Sequence, residues 1–575
     1  MQDTTPKDAS SRTTLLDRLE RIGNALPEPA LIFAILAAIV IVVSAIGTAA
    51  EWRIQPVTPR VALTERVGED GRPVLDDKGA PMMVPKLDGR GKPEVTLVGQ
   101  TDKEGKPVYL EPRSLLTSEG VYWMLSSMVR NFTGLPALGL VFVSMLGIGL
   151  AEKFGMFSAL MRGLALITPR KFLTPMIVLI GANSSVASDA GYIILPPLAA
   201  ALYLAVNRPP IAGLAAAFAG VAGGFGGGIF PTAADGFLAG VATQAAHIVD
   251  PSYHSVDPTH NLYFKSLSSV LIMLAGWFVT DRIVEPRLKR LAPGAGYDEA
   301  PSLSDLALKP DEKRGLTAAA VVAILVLAAF VAAVRIPGAP LFGEGQPMLA
   351  NNTPAPGERP GERWSQVIVP MILLVFMLPG MAFGFVTGAL RTQKDFIEGV
   401  YHGIRTIVPV LAIAFFMGQF VNYFQYTGLD RMLAYAGGSL LVSADLPVPL
   451  LIVLFVMLVI AGDFAMSGML SKFGVLAPIF IPMFMMVGMS PELTTAAYRI
   501  GDSVVNIITP LNSYLLIILV ALQKYNKDAG LGSLISLMLP YSVVFGVLWT
   551  LFLLAWYWSG FPLGTDAPLE YIPSR

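Results

Sequence analysis

Charged and amide side chains recur at short spacings inside stretches of this chain that are otherwise too apolar to hold them. One such place is Asn183-Ser184-Ser185-Val-Ala-Ser-Asp189-Ala-Gly191. The other is Arg499-Ile-Gly-Asp502-Ser-Val-Val-Asn506-Ile-Ile-Thr509-Pro510-Leu-Asn512. Asp502, Asn506 and Pro510 are spaced i, i+4, i+8 and share one helix face. An ionisable group in an apolar segment costs at least about 2.5–3.5 kcal/mol to insert. It is retained where it binds something. Asp189 has no basic residue within one helical turn, so it needs a partner through space, a proton or a cation. Arg499 either attracts a carboxylate or forms an i, i+3 pair with Asp502 that neutralises both. Lys472 either neutralises Asp463 or meets an anionic solute. Gln419, Asn422 and Asp235 read as helix-packing or interface residues.

The elements that carry these residues must lie in lipid. Of 575 residues, 54% are hydrophobic and 14% charged, against about 25% charged in soluble domains. The 41 Lys and Arg balance 42 Asp and Glu, leaving a net charge of -1 and no basic surface for nucleic acid. The absence of Cys excludes thiolate zinc sites, iron–sulfur clusters and cysteine nucleophiles. No cofactor is implied. His247, His254 and His260 share a loop at spacings that match no zinc pattern. Gly223–Gly228 follows no strand and lacks a phosphate-loop ending, so it reads as backbone deformation within a span. No H-E-x-x-H or Gly-x-Ser-x-Gly motif marks a hydrolase.

Apolar runs near 30–50, 135–152, 264–281, 316–335, 366–389, 404–424 and 533–558 are long enough to span a bilayer. The regions 172–206, 210–246 and 447–523 are apolar but punctuated by Gly, Pro, Asn, Asp and Ser, the signature of hairpins and broken helices. Residues 1–29 precede the first helix and make it too distant for a cleavable signal. Placing every Lys/Arg cluster inside gives one threading. The N-terminus 1–29 is cytoplasmic, 30–50 is the first transmembrane helix, and 51–120 is an extracytoplasmic insert. A first half, 121–315, contains hairpin 172–206 and broken helix 210–246. Linking helices occupy 316–403. A second half, 404–575, contains hairpin 447–489 and broken helix 492–523. The expected fold is an all-α polytopic membrane protein with about nine crossings and two opposed re-entrant hairpins. The insert repeats D-x-x-G-x-P from Asp76, Asp88 and Asp102, which reads as hairpin turns of a small β-rich cap. It lacks the ligand ladder of a calcium loop.

Residues 191–220 align without a gap on 472–501, with Leu195/Leu476, Pro197/Pro478, Val206/Val487, Pro210/Pro491, Ala215/Ala496, Ala216/Ala497 and Gly220/Gly501 identical. The threading puts an odd number of crossings between the copies. That makes the repeat inverted, the architecture of alternating-access secondary transporters.

At these residues the chain resembles the p-aminobenzoyl-glutamate transporter (AbgT) family. The match is strongest over S-S-V-A-S-D-A-G-Y-I-I-L-P-P-L-A-A (184–200), P-I-A-G-L-A-A-A-F-A-G-V-A-G-G-F (210–225), I-V-E-P-R-L (283–288) and L-A-P-I-F-I-P-M-F…S-P-E-L-T-T-A-A-Y-R-I-G-D-S-V-V-N-I-I-T-P-L (476–511). The resemblance implies a homodimeric, multi-pass carrier of the bacterial inner membrane for p-aminobenzoyl-glutamate, with some members exporting sulfonamide antimetabolites. The family's functional positions fall on Asp189, Pro491, Arg499, Asp502 and Pro510. The chain departs from the family at Phe473, where a Trp is usual, at Leu470, where a Ser is usual, and at Gly226-Gly-Gly228, which replaces S-A-N. Combining both readings, Asn183, Ser184, Ser185, Lys472, Phe473, Pro491, Arg499, Asn506, Pro510 and Asn512 are expected to meet the solute. Asp189, Asp502 and Thr509 are expected to carry the coupling ion, H⁺ or Na⁺, with sodium at Asp189 or Asp502 the one metal expected. Two competing readings are a sodium-coupled di- or tricarboxylate carrier of similar design and a non-transporting receptor that binds through its cap.

Overall fold

The computed structural model describes residues 28–573 apart from 67–72, 76–80, 87–94, 188–189, 292–306, 346–360, 465, 467 and 513. Among the described residues seven helical stretches are long and apolar enough to cross a membrane: Pro29–Ala49, Ser118–Lys153, Leu262–Arg290, Pro310–Arg335, Ile368–Thr387, Gln393–Thr427 and Leu531–Ser559. They coincide with the seven runs read from the sequence. Proline occupies the first turn of the helices that begin at Pro29, Pro136 and Pro310, where its missing N–H would be unpaired anyway. Gln393–Thr427 begins well before the apolar run at 404 because Thr392 and Asp395 form a capping box. A helix that starts in water is invisible to hydropathy.

The punctuated regions fold as helix pairs. Leu173–Asn183 and Ala190–Ala205 form the first hairpin, and Val448–Asp463 and Met469–Met485 the second. The first broken helix runs Pro210–Phe218, continues through a π turn at Ala219–Gly223, breaks, and resumes at Ala233–Ala246. The second runs Pro491–Val505, breaks over 506–512, and resumes at Tyr514–Gln523. Both start on the matched prolines Pro210 and Pro491. The order of hairpin, helix, break and helix is therefore the same in the two aligned copies.

The bases of the two hairpins are secured differently. After the first, the Arg208 guanidinium reaches Asp281 at 2.5 Å, Glu285, and the Thr174 hydroxyl at 2.9 Å. After the second, the C-terminal tail lies across the turn: Tyr571 N donates to Gly488 O at 2.9 Å and Ser490 Oγ to Pro568 O at 2.7 Å. In the insert, β1 (Val57–Val61) pairs antiparallel with β4 (Val95–Gly99), and β2 (Leu63–Glu65) with β3 (Met83–Pro85). The Asp102 copy of the repeat forms a turn in which its Oδ1 accepts from Glu104 N and Lys106 N, with Gly105 at φ 81°. Much of the other two copies lies outside the described residues.

Candidate functional site

The first break frees backbone groups that hydrocarbon cannot satisfy, and side chains from distant segments take them up. Gly226 N donates to Ser503 Oγ at 2.7 Å, and Ile229 N to Asn183 Oδ1 at 2.8 Å. A Cβ on Gly226 would lie 2.5 Å from Ser503 Oγ and 2.8 Å from Arg499 O. Glycine is therefore the residue that lets this break seat against the second broken helix. Gly228 adopts φ +130°, a conformation L side chains rarely take. Next to it, the freed Ile229 N–H is taken up by Asn183 Oδ1.

The chain resumes as a helix through Asp235, whose Oδ2 accepts from Thr232 N and Oγ1 at 2.6 and 2.8 Å. The same carboxylate receives two cations. Lys265 Nζ lies 2.5 Å from Oδ2 and donates to Phe230 O at 2.9 Å. Arg499 Nη2 lies 2.6 Å from Oδ1, while its Nε donates to Asn261 Oδ1 at 3.1 Å. The three charged side chains are 2–3% exposed. His260, in the loop 247–261 outside the membrane-spanning helices, is buried beside them. Burial, then the nearby Arg499 charge, pushes its pKa down to about 3. It stays neutral, so this cluster carries a formal charge of one positive unit.

One turn along the same helix the sign reverses. Asp502 Oδ1 is 2.9 Å from Lys472 Nζ, which also bonds Asp463 Oδ1. Tyr498 donates its hydroxyl to Met469 O at 2.6 Å, and Asn506 Nδ2 donates to Asp502 Oδ2 at 3.1 Å. Thr509 Oγ1 donates to Asp463 O at 3.3 Å, and Asn512 Nδ2 to Asn506 O at 2.7 Å. Two carboxylates and one ammonium give one formal negative unit. Asp463 Oδ2 is buried with no hydrogen-bond donor among the described residues. The i, i+3 pair weighed as the alternative for Arg499 and Asp502 is not made; each is paired with a residue of another element.

A cavity of about 140 Å³ borders the positive cluster, lined by Lys265, Arg499, Ser185, Thr232, Phe225, Leu470 and apolar side chains of Pro136–Lys153 and Gln393–Thr427. Of the residues expected to meet solute, Ser185 and Arg499 line it. Asn183 serves the first break, and Ser184 donates to Gly181 O at 2.7 Å within its own hairpin. Lys472 belongs to the negative cluster. Phe473 is buried against Tyr498, with ring centroids 4.8 Å apart, and does not border the cavity. Pro491 is buried at the start of its helix. Asn506, Thr509, Pro510 and Asn512 form the second break. Asp189 lies outside the described residues. Asp235, read from sequence as a packing residue, stands instead at the centre of the positive cluster. Lys265 was not singled out, although a lysine just inside the apolar run that begins at 264 was a visible signal.

The model of the AbgT putative transporter family matches residues 14–571. The chain belongs to this family. It is 31% identical over 547 residues to the p-aminobenzoyl-glutamate transport protein of Escherichia coli (strain K12), with 95% of each chain covered. Among solved structures it is similar to the YdaH transporter of Alcanivorax borkumensis, described as having an unusual topology. That likeness has a TM-score of 0.75 at 30% identity and covers 94% of this chain and 100% of that one. It is also similar to Neisseria gonorrhoeae MtrF, described as illuminating a class of antimetabolite efflux pumps. Here the TM-score is 0.78 at 35% identity, covering 94% and 97%. These relatives are transport proteins, so this AbgT member is a multi-pass inner-membrane transporter and not an enzyme.

Proposed function

We propose that this AbgT protein is an ion-coupled carrier of aromatic carboxylates, with p-aminobenzoyl-glutamate as a substrate. The observation that carries this reading is the helix Pro491–Val505, which holds Arg499 in a net-positive cluster beside a cavity and Asp502 in a net-negative cluster one turn away. The positive cluster suits a solute carboxylate, and the apolar lining around Phe225 suits its ring. The negative cluster, with Asp463 Oδ2 unpartnered among the described residues, suits a proton or sodium ion. Because both sit on one short helix, occupying either site changes the field at the other. The name of the Escherichia coli relative supports the substrate. The cavity is smaller than the roughly 300–1,000 Å³ of sites for drug-sized ligands, so it opens further when the solute enters. Asp189 is proposed as a second ion-coupling group, and the homodimer as the working assembly. For the latter, Pro310–Arg335 buries little beyond Gly315 and Ala319 and so offers an apolar face.

The test is uptake of labelled p-aminobenzoyl-glutamate into proteoliposomes under separately imposed pH and sodium gradients. Uptake should follow one of the two gradients in the unaltered protein and fall at least tenfold in Asp502→Asn. Uptake indifferent to both gradients would refute the coupling. Competition by citrate or succinate with no effect of aryl carboxylates would move the substrate to the aliphatic di- and tricarboxylates.

A further inference from the structure

Arg499 alone would suffice to attract a carboxylate, yet the structure surrounds it with a second cation and a resident anion, both buried. Lys265 and Asp235 come from two different helices, and each stands within the first turn of its helix, at Leu262–Val279 and Ala233–Ala246. Asp235 is fully engaged: Oδ1 accepts from Arg499, and Oδ2 from Lys265 and Thr232. Lys265 is not. Among the described residues two of its three N–H groups have acceptors, Asp235 and Phe230 O, and Lys265 also lines the cavity. A buried lysine costs several kcal/mol unless paired, and pairing it to Asp235 cancels its charge without moving it from the wall. The pair thus presents a hydrogen-bond donor to the cavity while holding the formal charge of the cluster at the single positive unit of Arg499.

We infer that Lys265 and Asp235 are the specificity-determining pair of the solute site, and that together they fix the number of carboxylates it takes at one. One ionised carboxylate brings the cluster to neutrality. An uncharged solute leaves a positive unit buried, and a second carboxylate on the same ring leaves a negative one; both outcomes are penalised in a buried site. In p-aminobenzoyl-glutamate, one of the two carboxylates would be read here and the other lies beyond this cluster. The inference rests on the reading of the cavity as a carboxylate site. It adds that the charge sum, and not Arg499 alone, sets the selectivity.

The size of the cavity makes it testable with single-ring ligands, since about 150 Å³ holds one benzene ring. Binding of benzamide, benzoate and isophthalate, which carry zero, one and two negative charges, is measured by calorimetry on the full-length detergent-solubilised protein. The unaltered protein should bind benzoate at least tenfold tighter than the other two. Lys265→Gln lowers the cluster to zero and should bring benzamide ahead of benzoate. Asp235→Asn raises it to two and should bring isophthalate ahead. The double variant Asp235→Asn/Lys265→Gln returns the sum to one and should restore benzoate to first place. It removes the Lys265 charge together with the carboxylate and leaves Arg499 to the amide oxygens of Asn261 and of the side chain introduced at 235, so it decides the matter should either single variant fail to fold. The same order of ligands in all four proteins, or a double variant that has lost the preference for benzoate, overturns the inference while leaving the carboxylate site standing. An unaltered protein that binds none of the three overturns the site and the inference with it.

Discussion

The two buried charge clusters of this AbgT transporter are built from the same materials and come out with opposite signs. Around Arg499, two cations share Asp235; around Lys472, two carboxylates share one ammonium. Each draws on the second broken helix, and each is completed by residues far away in the chain. The difference lies in what is left over. The first cluster borders a cavity through Lys265 and Arg499, and the second has an acceptor, Asp463 Oδ2, without a donor among the described residues. A surplus of donors invites an anion and a surplus of acceptors invites a cation. The proposed coupling of an anionic solute to a cation rests on these two surpluses standing one helical turn apart.

The largest difference between the clusters is expected at Lys472. Lys472→Met leaves two adjacent carboxylates buried with no cation, and removing one partner of a buried pair costs about 3–5 kcal/mol. Lys265→Met is the matched change in the other cluster, but it leaves Asp235 paired with Arg499. It should cost less, about 1.5–3 kcal/mol for a lost charged hydrogen bond. Thermal midpoints in one detergent order the two; equal losses would mean that the sign of the leftover charge is not what matters. The join between the halves is probed by Gly226→Ala. Its methyl would press on Ser503 Oγ and the Arg499 carbonyl, for about 1–3 kcal/mol of overpacking, with solute affinity falling alongside stability.

The smallest effect sharpens the charge count. His260 is held neutral, its pKa pushed down to about 3 by burial and then by Arg499, whereas the unfolded chain titrates near 6.5. Below that value the unfolded state binds a proton that the folded state refuses. Stability is therefore fully present above about pH 6.5 and falls as the pH drops toward 3, by at most about 1.4 kcal/mol per pH unit from this group. His260→Gln should flatten the decline of unfolding stability between pH 6.5 and 5. An unchanged slope would mean that His260 takes up its proton as readily in the folded protein, so that the cluster gains a second positive unit below about pH 6.5.

What the sequence discloses and what it hides follow from range. The apolar runs, the hairpins and the breaks were legible because lipid imposes their composition directly: seven runs match seven helices, and Pro210, Pro491, Gly226 and Thr509-Pro510 mark where helices start or stop. Asp502 was conspicuous because a carboxylate in such a run has few innocent explanations. Its partner was not. Local spacing offered Arg499 three residues away, but Arg499 pairs across 264 positions with Asp235, and no periodicity reports a contact of that separation. Lys265 was hidden for a different reason. It stands where an apolar run begins, the place at which a lysine is most easily taken for an interfacial one. Phe473 illustrates the converse, a residue at a family position whose ring packs on Tyr498 inside the protein rather than on the cavity.

The two clusters are proposed to act on each other through the helix they share. Its most direct test is the affinity of a labelled aryl carboxylate measured as a function of proton and sodium concentration, in the unaltered protein and in Asp502→Asn, at fixed ionic strength. Binding free energies are reciprocal, so the solute should bind at least fivefold tighter when the coupling cation is saturating, and Asp502→Asn should bind it with one affinity throughout. Solute affinity that is independent of both cations in the unaltered protein, or a dependence that survives in Asp502→Asn, would rule out this coupling.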